Sequence, residues 1–243
     1  SDGLPGNNIA FVKTDAEGFV WAVTSGGLAR YDGRHFVPFS SLRPGTSLPQ
    51  EGLLSLQIDH HGFLWMSTEK GLYSIALGTF EVSFFEKKWT PYGVDRQGNM
   101  WFGTPTGLAQ FKVQKNDFQE FTLKEKSEVN GICQGRGPLL LVKNKDHLFS
   151  FDTQKQVFEQ LPASSDLMNS ALVMASDSAG LLWLSRWYNK ENGLVYYDPY
   201  EDRILRSFGA DARGMGSTDC NDICVDGDQV WLATNTSGLC RYS

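Results

Sequence analysis

The chain has 243 residues, of which 41% are hydrophobic, and a net charge of -6. This composition is ample for a packed core, and the acidic excess argues against nucleic acid or an anionic membrane as the main partner. No apolar run approaches the roughly 18 residues that a spanning helix needs, so direct membrane insertion is not expected.

Residues 15–32, DAEGFVWAVTSGGLARYD, contain the pattern that recurs through the chain. Asp-x-x-Gly predicts a tight turn, because Asp bonds to the backbone two residues on and Gly accepts positive φ. The β-branched and aromatic residues 19–24 predict a strand, and residues 27–32 predict a second one after a turn. Strands at residues 8–14 and 35–39 complete a four-stranded unit typical of one propeller blade.

The tryptophan of this pattern marks each copy along the chain. Successive copies lie 36–48 residues apart, with Leu140 in the Trp place of the fourth, at Trp21, Trp65, Trp101, Leu140, Trp183 and Trp231. Because the same position recurs in every blade, these rings are interpreted as packing between blades and not as a binding platform.

The repeats predict an all-β fold, a β-propeller of four-stranded antiparallel blades in a single domain over residues 1–243. About six blades are expected, at residues 8–39, 53–84, 88–121, 128–161, 170–208 and 221–242. The last copy supplies three strands only. Either the ring closes on a three-stranded blade or the chain is a piece of a longer one, and the second interpretation is favoured.

One edge of the blades carries the long loops. In a four-stranded antiparallel blade, the connection to the next blade and the turn between the second and third strands lie at the same edge, here called the link edge. The long connections 40–52, 162–169 and 209–220 lie there, as does the insertion after the second strand of blade five. Long loops on a rigid scaffold are common binding positions.

The insertion contains the predicted ligand-binding residues Arg186, Trp187, Tyr188, Asn189 and Lys190. An exposed aromatic ring beside planar hydrogen-bonding groups suits a sugar ring, which needs a face to stack on and donors for its hydroxyls. The alternatives are a loop that packs its aromatic rings on a neighbouring blade and a loop that contacts another protein.

No catalytic residue, metal site or cofactor is predicted. Cys220-x-x-x-Cys224 has no second pair at zinc spacing, and the histidines do not cluster. Buried free thiols are favoured, with Cys133 and Cys224 on first strands, over a pairing of Cys220 and over catalysis. The carboxylates of the Asp-x-x-Gly turns lie about one blade apart, which makes them poor acid–base partners.

The repeat as a whole resembles the two-component regulator propeller repeat. The resemblance rests on Gly-Leu-Pro at residues 3–5, on Asp-x-x-Gly-Phe-x-Trp-x-x-Thr-x-x-Gly-Leu-x-x-Tyr-Asp-Gly at residues 15–33, and on the copies of that motif. That repeat occurs in periplasmic sensor regions of bacterial membrane receptors, notably Bacteroidetes hybrid two-component systems. The motif residues are structural in the family, so no binding residue follows from it.

The resemblance implies a periplasmic module, the extracytoplasmic part of an inner-membrane receptor, that senses a glycan-derived or other small ligand. It also implies that the chain is part of a larger sensor region with a seven-bladed or a double propeller. The histidine kinase would lie outside this chain, so the chain itself is not expected to be an enzyme. The implied partners are a small-molecule or oligosaccharide ligand, the remaining receptor domains, and a second receptor copy in a homodimer. Two other functions stay open, a propeller lyase and a protein-interaction scaffold.

Trp187→Ala is expected to leave the melting temperature nearly unchanged and to abolish any ligand response, because an exposed stacking ring contributes to binding and not to packing. Thermal denaturation with and without ligand measures both effects. A large fall in the melting temperature would instead make Trp187 a packing residue.

Overall fold

The computed structural model describes residues 3–49, 52–186, 193–209, 220–234 and 237–242. They belong to two compact units, Ser1–Glu120 and Phe121–Ser243. The assignment of residues 1–243 to a single domain stays a prediction.

The first unit contains two four-stranded antiparallel sheets and most of a third. Blade one has β1 (Ile9–Thr14), β2 (Val20–Thr24), β3 (Gly27–Tyr31) and β4 (Phe36–Pro38), followed by the short helix α1 (Phe39–Leu42). Blade two has β5 (Leu53–Ile58), β6 (Phe63–Thr68), β7 (Leu72–Ala76) and β8 (Glu81–Phe85). Blade three has β9 (Thr90–Val94), β10 (Met100–Thr104), β11 (Gly107–Lys112) and β12 (Asp117–Thr122), with a 3-10 turn at Val113–Lys115.

The second unit contains the other blades. Blade four has β13 (Gly131–Gln134), β14 (Leu139–Lys143), β15 (Leu148–Asp152) and β16 (Val157–Gln160), followed by helix α2 (Ser165–Ser170). Blade five has β17 (Ala171–Ser176), β18 (Leu182–Arg186), β19 (Leu194–Asp198) and β20 (Arg203–Phe208). Blade six has β21 (Cys220–Asp226), β22 (Gln229–Thr234) and β23 (Gly238–Tyr242).

Within every sheet the strands pair in chain order, so each blade is a simple meander. The sixth sheet has three strands among the described residues, as its short copy predicted. The all-β, six-bladed propeller predicted from the repeats is confirmed.

The Asp-x-x-Gly turns are held by one carboxylate oxygen. Asp59 Oδ1 accepts hydrogen bonds from the backbone N–H groups of His61 and Phe63, both at 2.9 Å. Asp15, Asp95 and Asp177 make the same pair of bonds two and four residues on. These bonds satisfy donors that the tight turn would otherwise leave without a partner.

The second carboxylate oxygen explains why the tryptophan follows six residues later. In blades one, two and three, the indole Nε1–H donates to Oδ2 of the turn aspartate, at 2.8, 2.9 and 2.8 Å. A buried indole N–H needs an acceptor, and this aspartate provides it while the ring packs in the core. We call this arrangement the Asp–Trp clamp.

The rings of Trp21, Trp65 and Trp183 lie between neighbouring sheets, as predicted. Trp21 belongs to a cluster that also contains Leu56, Leu64 and Met66 of blade two. Trp65 lies 5.0 Å from the ring of Phe102 and 4.7 Å from that of Phe111, both in blade three. In the second unit, Trp183 of blade five packs with residues of β21, β22 and β23.

Cys133, Cys220 and Cys224 are free thiols. Cys220 and Cys240 are buried in the core of the second unit. Burial of the Cys133 thiol raises its pKa to about 12, which makes it unreactive. The expectation that Cys224 is buried is wrong: it is exposed, because alternation along β21 places Ile223 and Val225 on the packed face.

The Asp–Trp clamp is tested by Asp59→Ala. The change removes the acceptor of two backbone donors and of a buried indole, so the free energy of unfolding should fall by at least about 2 kcal/mol. Chemical denaturation measures the loss.

Asp32→Ala is the matched control for Asp59→Ala. Asp32 also accepts from two backbone N–H groups, both at 2.8 Å, in an exposed turn and without an indole. Its loss should be clearly smaller, and equal losses in the two variants would contradict a special role of the indole bond.

Candidate functional site

The link edge collects the connections between blades. Because each sheet is an antiparallel meander, its first strand begins at the edge where its second–third turn also lies. In each unit the first strands of consecutive blades contact each other, β1 with β5 and β5 with β9, and likewise β13 with β17 and β17 with β21. These first strands form a shared frame below the link edge.

A β-bulge recurs near the link end of the first strand. In five blades, the pairing of the first strand with the second strand skips one residue of the first strand. The skipped residues are Ala10, Leu54, Tyr92, Leu172 and Asn221. The side chains of Leu54 and Leu172 are 56% and 51% exposed, although both lie within strands. A bulge re-aims a side chain, so a strand geometry that recurs in five blades presents residues of different types at the link edge.

The bulge of blade three is tied to blade two. Ser55 Oγ donates to the carbonyl oxygen of Pro91 at 3.0 Å, and Gln57 Nε2 donates to that of Tyr92 at 2.9 Å. These bonds join the two first strands through side chains, which keeps the frame below the loops rigid.

Three clefts open at the link edge of the first unit. Cleft A, about 380 Å³, lies between the second–third turn of blade one and the connection to blade two, and is lined by residues 26–28, 38–40 and 45–48. Cleft B, about 420 Å³, is lined by Leu54, Ser67, Thr68, Glu69, Lys88, Trp89 and Thr90. Cleft C, about 690 Å³, is lined by Ser47, Leu48, Pro49, Gly52, Thr68, Glu69 and Lys70.

The turn between β6 and β7 separates clefts B and C. Thr68 Oγ1 donates to the carbonyl oxygen of Gly71 at 2.8 Å and accepts from the Lys70 and Gly71 N–H groups. The Glu69 N–H donates to the carbonyl oxygen of Gly52 at 3.2 Å. The turn is thus held both internally and by the connection from blade one, while Glu69 and Lys70 remain exposed.

Cleft B has an unusual hydroxyl. Ser67 is 2% exposed, and its Oγ has no hydrogen-bond partner among the described residues. A hydroxyl buried in this way costs about 1–3 kcal/mol. Ser185, at the same position of blade five, donates instead to the carbonyl oxygen of Cys220 at 3.2 Å.

The predicted binding loop of blade five lies mostly outside the described residues. Arg186 ends β18, where its Nε donates to Ser170 Oγ of α2 at 2.8 Å and its N–H donates to the carbonyl oxygen of Gly193 at 2.7 Å. Trp187, Tyr188, Asn189 and Lys190 lie outside the described residues. The ligand role of these five residues stays a prediction.

The clefts of the first unit were missed by the sequence reasoning. Two signals pointed toward them, the long connection 40–52 and Trp89, which lies outside the regular tryptophan spacing. Trp89 is 6% exposed and makes an edge contact with Phe118 at 5.1 Å. The side chains that line cleft B come from three separate segments, so no local motif could identify them.

Blade four places a buried lysine where blades one, two, three and six have threonine and blade five has Arg186. Lys143 is 4% exposed, and its Nζ donates to Asn130 Oδ1 at 3.0 Å. Burial lowers the pKa of its ammonium to about 8, against a smaller opposing effect of Asp146. The adjacent Asn144 Nδ2 donates to Ser127 Oγ at 2.7 Å, so polar side chains connect this turn to the preceding connection.

The described ranges contain no group of three or more His, Cys, Asp and Glu side chains placed to hold a metal ion. Within the same ranges, no helix has the length and apolar character needed to cross a membrane.

The chain was compared with known proteins. No protein-family model matches it, and no curated protein sequence does so at a significant level. Solved structures do match. The extracellular domain assigned to the hybrid two-component system BT3049 of B. thetaiotaomicron is similar over 96% of this chain and 33% of that one, with 21% identity and a TM-score of 0.65.

Two further solved structures are similar. The extracellular domain assigned to the hybrid two-component system BT4673 of B. thetaiotaomicron matches 99% of this chain and 39% of that one, with 17% identity and a TM-score of 0.63. A catalytically inactive virginiamycin B lyase from Staphylococcus aureus, with quinupristin, matches 98% of this chain and 85% of that one, with 13% identity and a TM-score of 0.69.

At these identities the matches show a shared β-propeller fold. Extracellular domains of Bacteroides two-component systems are among the structural neighbours, in agreement with the resemblance of the repeat. The chain spans 33–39% of the length of those sensor structures.

The buried lysine gives a pH dependence that can be measured. Its pKa is lower in the folded chain, about 8, than the ordinary 10.5, so between these values the unfolded chain binds more protons. The free energy of unfolding should therefore rise from pH 8 to pH 10.5, by about 2–3 kcal/mol.

Lys143→Met is the reference for this measurement, because it removes the titrating group and keeps an unbranched chain of similar length. The wild-type chain should gain stability relative to Lys143→Met across this range in denaturation series at fixed pH. A constant difference between the two proteins would show that Lys143 is not desolvated.

Proposed function

We propose that the chain is a ligand-sensing part of the periplasmic region of a bacterial two-component receptor, with its histidine kinase outside this chain. The proposal is supported by the repeat pattern and by the similarity to extracellular domains of two-component systems. Such a part acts by binding, so its function depends on a site that a soluble ligand can reach.

The link edge is the observation that carries the proposal. In the first unit, three clefts of about 380, 420 and 690 Å³ open there, above first strands joined by side-chain hydrogen bonds. Clefts of this size suit small molecules, and variable loops on a fixed frame are a common arrangement for recognition.

The ligand is proposed to be a glycan-derived or other small molecule. Binding at the link edge would stabilise one arrangement of its loops and of neighbouring receptor domains over another. Differential affinity for the two arrangements would pass the signal toward the kinase. The remaining receptor domains and a second receptor copy in a homodimer are the proposed partners.

A propeller lyase is the second candidate, because the Staphylococcus aureus lyase shares the fold over 85% of its length. An enzyme of this kind needs an acid or base beside its substrate. His147 lies in the second–third turn of blade four, and is thus the described histidine at a link edge. If the chain is a lyase, a bound compound should be cleaved, and its mass should change.

The proposal is tested by screening the chain against oligosaccharides and other small solutes by thermal shift and calorimetry. Hydrogen–deuterium exchange of the protein with a bound compound then locates the site. Protection is expected at the link edge, in residues 43–49, 67–70 and 86–90, and not in the Asp-x-x-Gly turns.

Binding of no compound by a cooperatively melting chain, or protection confined to the Asp-x-x-Gly turns, would contradict the proposal. Mass spectrometry of the recovered compound decides between the two candidates. An unchanged compound supports a sensor, and a cleaved compound supports a lyase.

A further inference from the structure

Cleft B is bounded by three segments of the first unit. Leu54 comes from the bulge of β5, residues 67–69 come from the end of β6 and its turn, and residues 88–90 come from the connection that enters blade three. The cleft therefore has walls from two blades, and each wall is fixed by backbone structure.

Ser67 is the first sign that cleft B is built for a ligand. Its hydroxyl is buried without a partner, whereas the equivalent Ser185 hydroxyl in blade five is bonded to the first strand of the next blade. Packing between blades alone therefore accounts for Ser185 and not for Ser67. A ligand group at the inner end of the cleft would satisfy the Ser67 hydroxyl.

The charges of cleft B are the second sign. Glu69 and Lys88 are both exposed, and neither makes an ion pair among the described residues. Lys87 is different, because its Nζ lies 3.1 Å from Glu120 Oε1 and 4.4 Å from the Trp89 ring centroid. Of two consecutive lysines, one is occupied within the protein and the other faces the cleft.

The apolar lining completes the chemistry. Leu54 is 56% exposed at a bulge, and Trp89 contributes the small accessible part of a ring that is otherwise buried. The cleft thus combines one carboxylate, one ammonium group, one unsatisfied hydroxyl and an apolar wall.

We infer that cleft B binds a small molecule that carries both an ammonium group and a carboxylate. The ammonium group pairs with Glu69, the carboxylate pairs with Lys88, a polar group bonds to Ser67 Oγ, and the apolar part contacts Leu54. The inference deepens the proposed sensor function, on which it rests, by naming the ligand class of one link-edge cleft.

Two sources could supply this chemistry, amino acids or short peptides on one side and amino sugars with an acid group on the other. The probes are therefore L-leucine, the dipeptide leucyl-glycine and muramic acid. Their neutral counterparts are N-acetyl-leucine amide and N-acetylglucosamine, which lack the pair of charges. Calorimetric titration of the full chain measures each affinity.

At least one zwitterionic probe is expected to bind, and its neutral counterpart to bind at least tenfold more weakly. Glu69→Gln and Lys88→Met should each weaken binding at least tenfold, and Ser67→Ala several-fold. Both charge changes are at exposed positions, so the fold is retained and melting curves check this.

Lys87→Met and Ser185→Ala are the matched controls. Each removes the same chemical group as its counterpart at a position already occupied within the protein, so binding should be unchanged. Equal effects of Lys87→Met and Lys88→Met would overturn the inference, because they would show a general effect of surface charge.

The remaining outcomes separate this inference from the proposed function. Binding of a neutral oligosaccharide at the link edge, with no zwitterionic probe bound, overturns the inference and supports the sensor function. Zwitterion binding that survives Glu69→Gln and Lys88→Met also overturns it. Failure of every compound in both screens overturns the inference and the proposed function together.

Discussion

The clamp between a turn aspartate and a tryptophan six residues later is the interaction on which each regular blade depends. One oxygen of Asp15, Asp59 or Asp95 closes the turn, and the other accepts the indole N–H. A large ring can therefore be buried between sheets without an unsatisfied donor. The same aspartate thus fixes both the turn and the position of the ring in the core. A short motif can therefore be repeated without further long-range polar contacts.

The irregular blades show what replaces the clamp. In blade four, Gln134 takes the aspartate place and donates to the carbonyl oxygen of Leu139 at 2.8 Å, while Leu140 needs no acceptor. In blade five, the Tyr196 hydroxyl donates a hydrogen bond to Asp177 Oδ2 at 2.6 Å, in the place of an indole N–H. The Tyr196 ring stacks on the Trp183 ring, with 4.6 Å between the ring centroids. Each replacement keeps the turn closed and the space between the neighbouring sheets filled. The blade therefore forms without the Asp–Trp clamp.

A frame specified by local motifs leaves the link edge free to vary. The Asp–Trp clamps lie near the opposite edge, and the first strands are joined by side chains such as Ser55 and Gln57. Connections of different length can then be placed above the same frame at little cost to folding. Clefts A, B and C arise where such connections meet the second–third turns, so the proposed recognition and the stability of the frame depend on different residues.

The order of residues within one repeat was sufficient to predict the strands, the turns and the between-blade position of Trp21, Trp65 and Trp183. The burial of Cys224 was predicted wrongly, since the covered face of β21 depends on which sheet packs against it.

Cleft B was not predicted at all. Ser67, Glu69 and Lys88 are brought together by the packing of blade two on blade three, and the Ser67 hydroxyl lacks the carbonyl partner that Ser185 has. The sequence by itself therefore determined the repeated fold and the edge that varies. Only the tertiary structure decided which side chains line a cleft there, because their proximity depends on contacts between blades and not on spacing within one repeat.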